Sequence, residues 1–245
     1  MDTAWYETWF DSTYYHILYK NRNDDEAEKF IHKLLRQLSP AQGSKFLDIG
    51  CGAGRHCVQV HNQGHEVVGL DLSENSINTA KKYEEAGLTF YVHDMRQKFR
   101  INYFDYVLNL FTSFGYFDSE REEIKTLEAN AGNLKPNGFI VIDYLNAEKV
   151  KQNLVEQEQK TIEGVTFQIS RKIENNQVIK TIAFESEKGL QQHQEKVKLL
   201  TLVDFERYFD RTGLELTSTF GDYQLNSFNS ESDRLILVGK KREGK

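Results

Sequence analysis

Residues 46 to 54 read Phe46-Leu47-Asp48-Ile49-Gly50-Cys51-Gly52-Ala53-Gly54, an apolar strand running straight into a loop with glycine at every second position. Such glycines remove the side chains that would hold a ligand off the backbone, and they permit the positive φ angles of a sharp strand-to-helix turn. A bulky polar ligand is expected against this turn. A pyrophosphate-binding dinucleotide loop places glycine at the first, third and sixth positions, the last for close helix packing. Here the sixth position is Arg55, and the pattern is D-x-G-x-G-x-G.

Downstream, a short helical stretch over 55–63 stops at Gly64, and the run Glu66-Val67-Val68-Gly69-Leu70-Asp71 ends a second apolar strand in an acid. An acid about 20 residues beyond a glycine loop is placed to accept from both ribose hydroxyls of a nucleoside. Asp71 is the candidate; its alternative use, capping the helix that begins near Ser73, is already served by Ser73. A third strand, Thr89-Phe90-Tyr91-Val92, leads into His93-Asp94-Met95, and a fourth, Phe104 to Asn109, runs into Leu110-Phe111-Thr112-Ser113-Phe114-Gly115-Tyr116-Phe117. Then come a helix introduced by Asp118 or Ser119, the turn Leu134-Lys135-Pro136-Asn137-Gly138, and a fifth strand from Phe139 to Tyr144.

Taken in this order, residues 45 to 146 resemble the class I S-adenosylmethionine-dependent methyltransferases of the small-molecule type. The resemblance implies an α/β fold, a doubly wound, mostly parallel seven-stranded Rossmann-like sheet. It implies S-adenosyl-L-methionine as cofactor and methyl transfer to a small-molecule acceptor. It assigns Asp48, Gly50, Cys51, Gly52 and Gly54 to the donor turn, and Asp71 with Leu72 to the ribose. Asp94 would accept from the adenine amino group, while Met95 offers its backbone amide to the ring. Asn109 and Leu110 would stand beside the donor's ammonium group. From the N-terminal segment it adds Tyr19, and Arg22 as partner of the donor's carboxylate. Two other readings remain open. One is a catalytically silent protein that binds the same donor; the other, an NAD-dependent oxidoreductase, fails at Arg55 and at the reversed terminal hairpin described below.

Within the N-terminal part, residues 1–40, a first segment is rich in rings (Trp5, Tyr6, Trp9, Phe10, Tyr14, Tyr15, Tyr19) and of poor helical period. It is expected to fold over the donor as a lid, excluding water and offering ring faces to the sulfonium cation. An amphipathic helix follows, with Phe30, Ile31, Leu34, Leu35 and Leu38 on one face, an Asn23/Glu26 capping box and a stop at Ser39-Pro40. Residues 41–150 and 201–245 form the expected core, and 151–200 an antiparallel β insert with strands over 161–174, 177–187 and 190–200 turning at Asn175-Asn176 and Lys188-Gly189. A helix over 202–211, begun by Thr201 and ended near Gly213, precedes two last strands over 215–220 and 234–239 that close the sheet as an antiparallel pair.

Composition bounds the rest. The 245 residues are 39% hydrophobic and 28% charged, and no apolar run approaches the roughly 20 residues that cross a bilayer. The opening residues lack a signal peptide's basic and apolar regions, so no membrane association and a cytoplasmic location are expected. Two cysteines, Cys51 and Cys57, are too few for a disulfide framework, and no metal is expected. The net charge of −6 and scattered basic residues disfavour nucleic acid. The dense group Lys240-Lys241-Arg242 reads as a solvated tail. A methyl donor with a good leaving group demands positioning more than acid or base, so the catalytic residues are unknown. Tyr116, Asn146, His193 and Tyr223 are polar candidates on the acceptor side, and none is assigned.

Overall fold

The computed structural model describes residues 4–20 and 24–243. Arg22 and Asn23 lie outside the described residues, and with them the Arg22 contact and half of the capping box. Two short helices, α1 (Trp5–Trp9) and α2 (Thr13–Leu18), precede the amphipathic α3 (Asp24–Leu38). The core then alternates β1 (Lys45–Ile49), α4 (Arg55–Asn62), β2 (Glu66–Asp71), α5 (Glu74–Ala80), β3 (Leu88–Val92), β4 (Phe104–Asn109), α6 (Glu120–Asn133) and β5 (Leu134–Leu145). After α7 (Ala147–Gln152) come β6 (Gln157–Ile162), β7 (Val165–Glu174), β8 (Gln177–Ser186) and β9 (Gly189–Lys198). The chain finishes with α8 (Leu202–Thr212), β10 (Leu214–Phe220) and β11 (Arg234–Lys241).

Seven strands form one sheet in the order β10-β11-β5-β4-β1-β2-β3, and β6 to β9 form a second, in sequence order. In the large sheet β1 to β5 pair in parallel, whereas β11 is antiparallel to both β5 and β10. The order reverses between β1 and β4, the crevice where open α/β sheets bind ligands. Side chains alternate across the sheet. Leu47 and Ile49 of β1 join the apolar cluster under α6 and α8, and Phe46 joins the cluster under α3 and α4. A third cluster puts Trp9 and Leu18 of the N-terminal helices on Phe167, Ile169, Ile182 and Phe184 of the small sheet.

Three expectations need correction. The stretch 161–174 is not one strand: Glu163 (φ 51°) and Gly164 (φ 81°) make a two-residue turn, the left-handed pair that matches the twist of a tight hairpin. The insert therefore has four strands. The Pro136 turn is taken up into β5 as a bulge, because pairing jumps from Phe104 with Leu134 to Tyr106 with Phe139, and Asn137 stands at φ 63°. Lys240 and Lys241 are not a solvated tail. Lys241 pairs with Leu214 in β11, is 8% exposed, and donates from Nζ to Asn102 Oδ1 (2.9 Å) and the Leu134 carbonyl (2.8 Å).

Beneath the glycine turn, the Phe90 ring of β3 fills the space that side chains would otherwise take. A Cβ at Gly69 would stand 2.5 Å from Phe90 Cδ1 and 2.9 Å from Cys51 Sγ, and one at Gly54 would stand 2.8 Å from Phe90 Cε1. Overpacking a filled core costs about 1–3 kcal/mol. Gly69→Ala is therefore expected to destabilise the fold by about that much, read as a lowered urea midpoint at unchanged slope. An unchanged midpoint would show that Phe90 does not fix the turn from below.

Candidate active site

The turn after β1 is held almost wholly through its own backbone. Gly50, Gly52 and Gly54 stand at φ 73°, 55° and 85°. The Gly50 and Cys51 amides donate to the Leu70 carbonyl at 2.8 and 3.0 Å, and the Gly52 amide donates to Asp71 Oδ2 at 2.8 Å. From the other side, Asn109 Nδ2 donates to the carbonyls of Ile49 and Ser113, both at 3.1 Å. Gly50 and Gly52 then face a cavity of about 710 Å³.

Asp71 lines this cavity. Its Oδ1 accepts from the Ser73 amide at 2.9 Å, while Ser73 Oγ caps α5 by accepting from Ser76 N. Burial raises the Asp71 carboxyl above its ordinary value, against the amides of Ser73 and Gly52 that hold the charge. His16 lines the same space, and its buried Nε2 has no hydrogen-bond partner among the described residues. Burial lowers that imidazole's pKa, with Asp11 and Asp71 opposing. At the end of β3, Asp94 and Met95 also face the cavity. Burial works against the Asp94 charge, but Arg96 more than offsets it, so the carboxyl sits below the usual range. The guanidinium grips both carboxylate oxygens, with NH2 to Oδ2 at 2.7 Å.

The roof comes from the N-terminal helices and the insert. Tyr19, Tyr15, Phe10 and Trp5 line the cavity, as do Glu195 and Val197 of β9. Glu195 fastens the roof: Oε1 accepts from Trp9 Nε1 at 2.8 Å and from Tyr19 OH at 2.7 Å, and Lys180 Nζ lies 3.3 Å from Oε2. On the far side Asp11 Oδ1 accepts from Ser73 Oγ (2.7 Å) and Asn75 N (2.9 Å), tying the arm to α5.

Of the residues singled out in the sequence, Tyr19, Gly50, Cys51, Gly52, Asp71, Leu72, Asp94, Met95 and Leu110 share this cavity. Asp48, Gly54 and Asn109 stand behind its wall. Asp48 is 1% exposed and accepts from Cys57 Sγ at 3.2 Å; Gly54 is the left-handed cap of α4. Sequence reasoning missed Asp11, His16, Glu195 and Arg234, all of which depend on contacts between distant segments.

Residues 40–204 match the family described as a methyltransferase domain. The chain belongs to the methyltransferase-domain family. Among relatives, it is 31% identical over 132 residues to dTDP-3-amino-3,4,6-trideoxy-alpha-D-glucopyranose N,N-dimethyltransferase of Streptomyces venezuelae, covering 53% of this methyltransferase-domain chain and 54% of that protein. It is also 31% identical over 130 residues to a ubiquinone biosynthesis O-methyltransferase of Bradyrhizobium diazoefficiens, covering 50% of this chain and 48% of that one. The chain spans about half the length of the curated relatives it matches. A crystal structure of an S-adenosylmethionine-dependent methyltransferase from Clostridium acetobutylicum superposes with a TM-score of 0.79 at 17% identity, over 94% of this chain and 96% of that one. A likeness at that identity establishes the fold: a Rossmann-like sheet of this methyltransferase type, as expected.

The buried acid at the start of the family motif has a measurable signature. Burial first, then the nearby Asp71 charge, push the Asp48 carboxyl from 3.8 to about 7, against Cys57 and Arg55. The folded state thus keeps a proton that the unfolded chain releases. Stability is full below 3.8 and is lost as pH rises towards about 7. Across that window the loss is on the order of 4 kcal/mol. Asp48→Asn is expected to flatten most of this slope in urea unfolding followed against pH. Glu123, also raised to about 7 by burial, keeps its own share. An equal slope in the variant would mean that Asp48 is not the titrating group.

Proposed function

We propose that this chain transfers the methyl group of S-adenosylmethionine to a small-molecule acceptor. One observation carries the reading: a turn without side chains and two carboxylates, Asp71 and Asp94, line one cavity of about 710 Å³ beneath a roof of aromatic rings. Family membership and the small-molecule names of the relatives support it.

The residues present fit the donor. Nothing stands within 4 Å of where a Cβ of Gly52 would lie, so the turn offers an open backbone cradle. The His16 Nε2, unpartnered among the described residues, leaves a polar position in the same cavity as Asp71 for a ribose hydroxyl. In this reading Gly50, Cys51 and Gly52 pack on the donor, backed by Asp48 and Gly54. Asp71, with Leu72 beside it, accepts from the ribose hydroxyls. Asp94 and the Met95 amide take the adenine edge. Leu110 and the loop held by Asn109 face the amino-acid end, with Tyr19 from the roof, and Arg22 pairs with the carboxylate.

When bound, S-adenosylmethionine supplies a methyl carbon made electrophilic by its sulfonium. The chain's part is alignment and exclusion of water, and orientation of this kind lowers a barrier by about 7–11 kcal/mol. Residues 1–40 serve as the lid, and the insert over 151–200 forms the far wall of the acceptor space. The acceptor meets the rings of Trp5, Phe10 and Tyr116 before it reaches the methyl group. No general base is assigned. The reading includes a cytoplasmic location, in keeping with two buried free thiols, Cys51 and Cys57, and it gives no role to nucleic acid. Among the described residues no helix is long and apolar enough to cross a membrane.

Isothermal calorimetry tests the donor site. S-adenosylmethionine or its demethylated product should bind, and Asp71→Ala should weaken binding by about 1.5–3 kcal/mol, the worth of hydrogen bonds to a charged acceptor. No heat at millimolar ligand in a folded sample would refute the function. Unchanged affinity in Asp71→Ala would refute the ribose contact alone.

A further inference from the structure

The loop after β4 adopts a backbone that its own residues do not favour. Phe111 and Thr112 both stand at φ 62°, a region costly for a bulky ring and for a β-branched side chain. Consecutive strained residues persist only where surrounding structure over-determines them, and such places cluster at functional sites. Here the surroundings are explicit. Asp143 of β5 accepts from the Phe111 amide through Oδ2 (2.9 Å), and its carbonyl accepts from the Thr112 amide (2.8 Å). Arg234 of β11 donates from Nε to Asp143 Oδ1 (2.7 Å) and from NH2 to Thr112 Oγ1 (2.8 Å). Tyr223 OH donates to Asp143 Oδ2 at 3.0 Å. Asp143 is fully buried, and its carboxylate is matched by the guanidinium and two further donors, the Phe111 amide and the Tyr223 hydroxyl.

We propose that Asp143 and Arg234 are positioning residues, which hold Phe111 and Thr112 in the left-handed conformation that forms the wall between donor and acceptor. Leu110, Phe111, Thr112, Ser113 and Tyr116 of that loop line the cavity, and so does Arg234 itself. The Tyr116 hydroxyl donates to the Thr112 carbonyl, and its ring meets Trp5 and Phe10 of the roof, each at 5.4 Å between centroids. The pair therefore fixes one peptide segment that touches the donor space on one side and the lid on the other. A fork is needed at residue 234, because one planar group serves both Asp143 and Thr112.

The assignment rests on the donor-site reading, and the test separates the two. In the unliganded wild-type protein, hydrogen exchange should show the Phe111 and Thr112 amides protected; exchange at the rate of an open loop overturns the proposal. S-adenosylhomocysteine titrated calorimetrically should bind Thr112→Val, which deletes the hydroxyl at constant shape, about tenfold more weakly. Thr112→Ser, which keeps the hydroxyl, should bind as wild type does. Arg234→Lys should also bind more weakly and exchange faster at residues 111 and 112, with the β1 to β3 amides still protected. Wild-type affinity in a folded Thr112→Val overturns the positioning role while leaving the donor site standing. Absence of binding to wild type overturns the donor-site reading itself.

Discussion

A strand that ends in three glycines has no side chains with which to hold its own shape, and the architecture follows from how that shape is imposed. The Leu70 carbonyl and the Asp71 carboxylate take the turn's amides from β2, Asn109 takes the Ile49 carbonyl from β4, and Phe90 fills the space beneath. Each of these comes from a strand beside β1 or one beyond, so the turn exists only once β2, β3 and β4 have docked in parallel register. The same carboxylate that ties the Gly52 amide retains lone pairs towards the cavity. Asp71 thereby supports the turn and faces the cavity with the same carboxylate.

This dependence explains what the sequence reveals and what it hides. Parallel strands buried on both faces read as apolar runs, so the order of strand, turn, helix and acid up to β5 is visible without coordinates, and Asp71 and Asp94 with it. Asp143 and Arg234 are invisible for the same physical reason. They lie 91 positions apart and meet because β11 runs antiparallel to β5, with Arg234 opposite Leu145 and Ile236 opposite Asp143. No local pattern announces positive φ at Phe111 or Thr112, since both residues favour the opposite. Lys241 misleads because a basic run beside a chain end looks solvated, whereas β11 continues far enough to bury its stem against β10. The hairpin at Glu163-Gly164 escapes because Thr, Ile and Val on both sides keep the alternation of a single strand.

The insert and the N-terminal helices form a unit with its own apolar cluster, closed by one carboxylate. Glu195 is shared by Trp9, Tyr19 and Lys180, and its exposed share lines the cavity roof. A carboxylate with three donors is satisfied at low cost even when half-buried. Asp11 makes the matching attachment to α5. The N-terminal helices are pinned at both rims of the cavity by hydrogen bonds and stacked through rings between them, while the buried His16 Nε2 has no partner among the described residues.

The insert reaches the core at the same loop that Asp143 and Arg234 brace. The Lys198 amide donates to the Gly115 carbonyl at 2.9 Å, the Lys198 carbonyl accepts from Tyr144 OH at 2.5 Å, and its ammonium stands 3.3 Å from Glu123 Oε1. Residues 110 to 117 are thus gripped by the sheet at one end, the insert at the other and the lid along their length. Loops that carry chemistry are usually the mobile parts of a scaffold, yet this one gains its definition from three elements that differ in sequence character. The sheet brings the glycine turn, Asp71 and Asp94 to the cavity, while the insert adds Glu195 and Val197 and the N-terminal helices add their rings. The insert meets the loop through backbone groups, the Lys198 amide on the Gly115 carbonyl, whereas the N-terminal helices meet it through rings, Trp5 and Phe10 on Tyr116 and Tyr6 on Phe117.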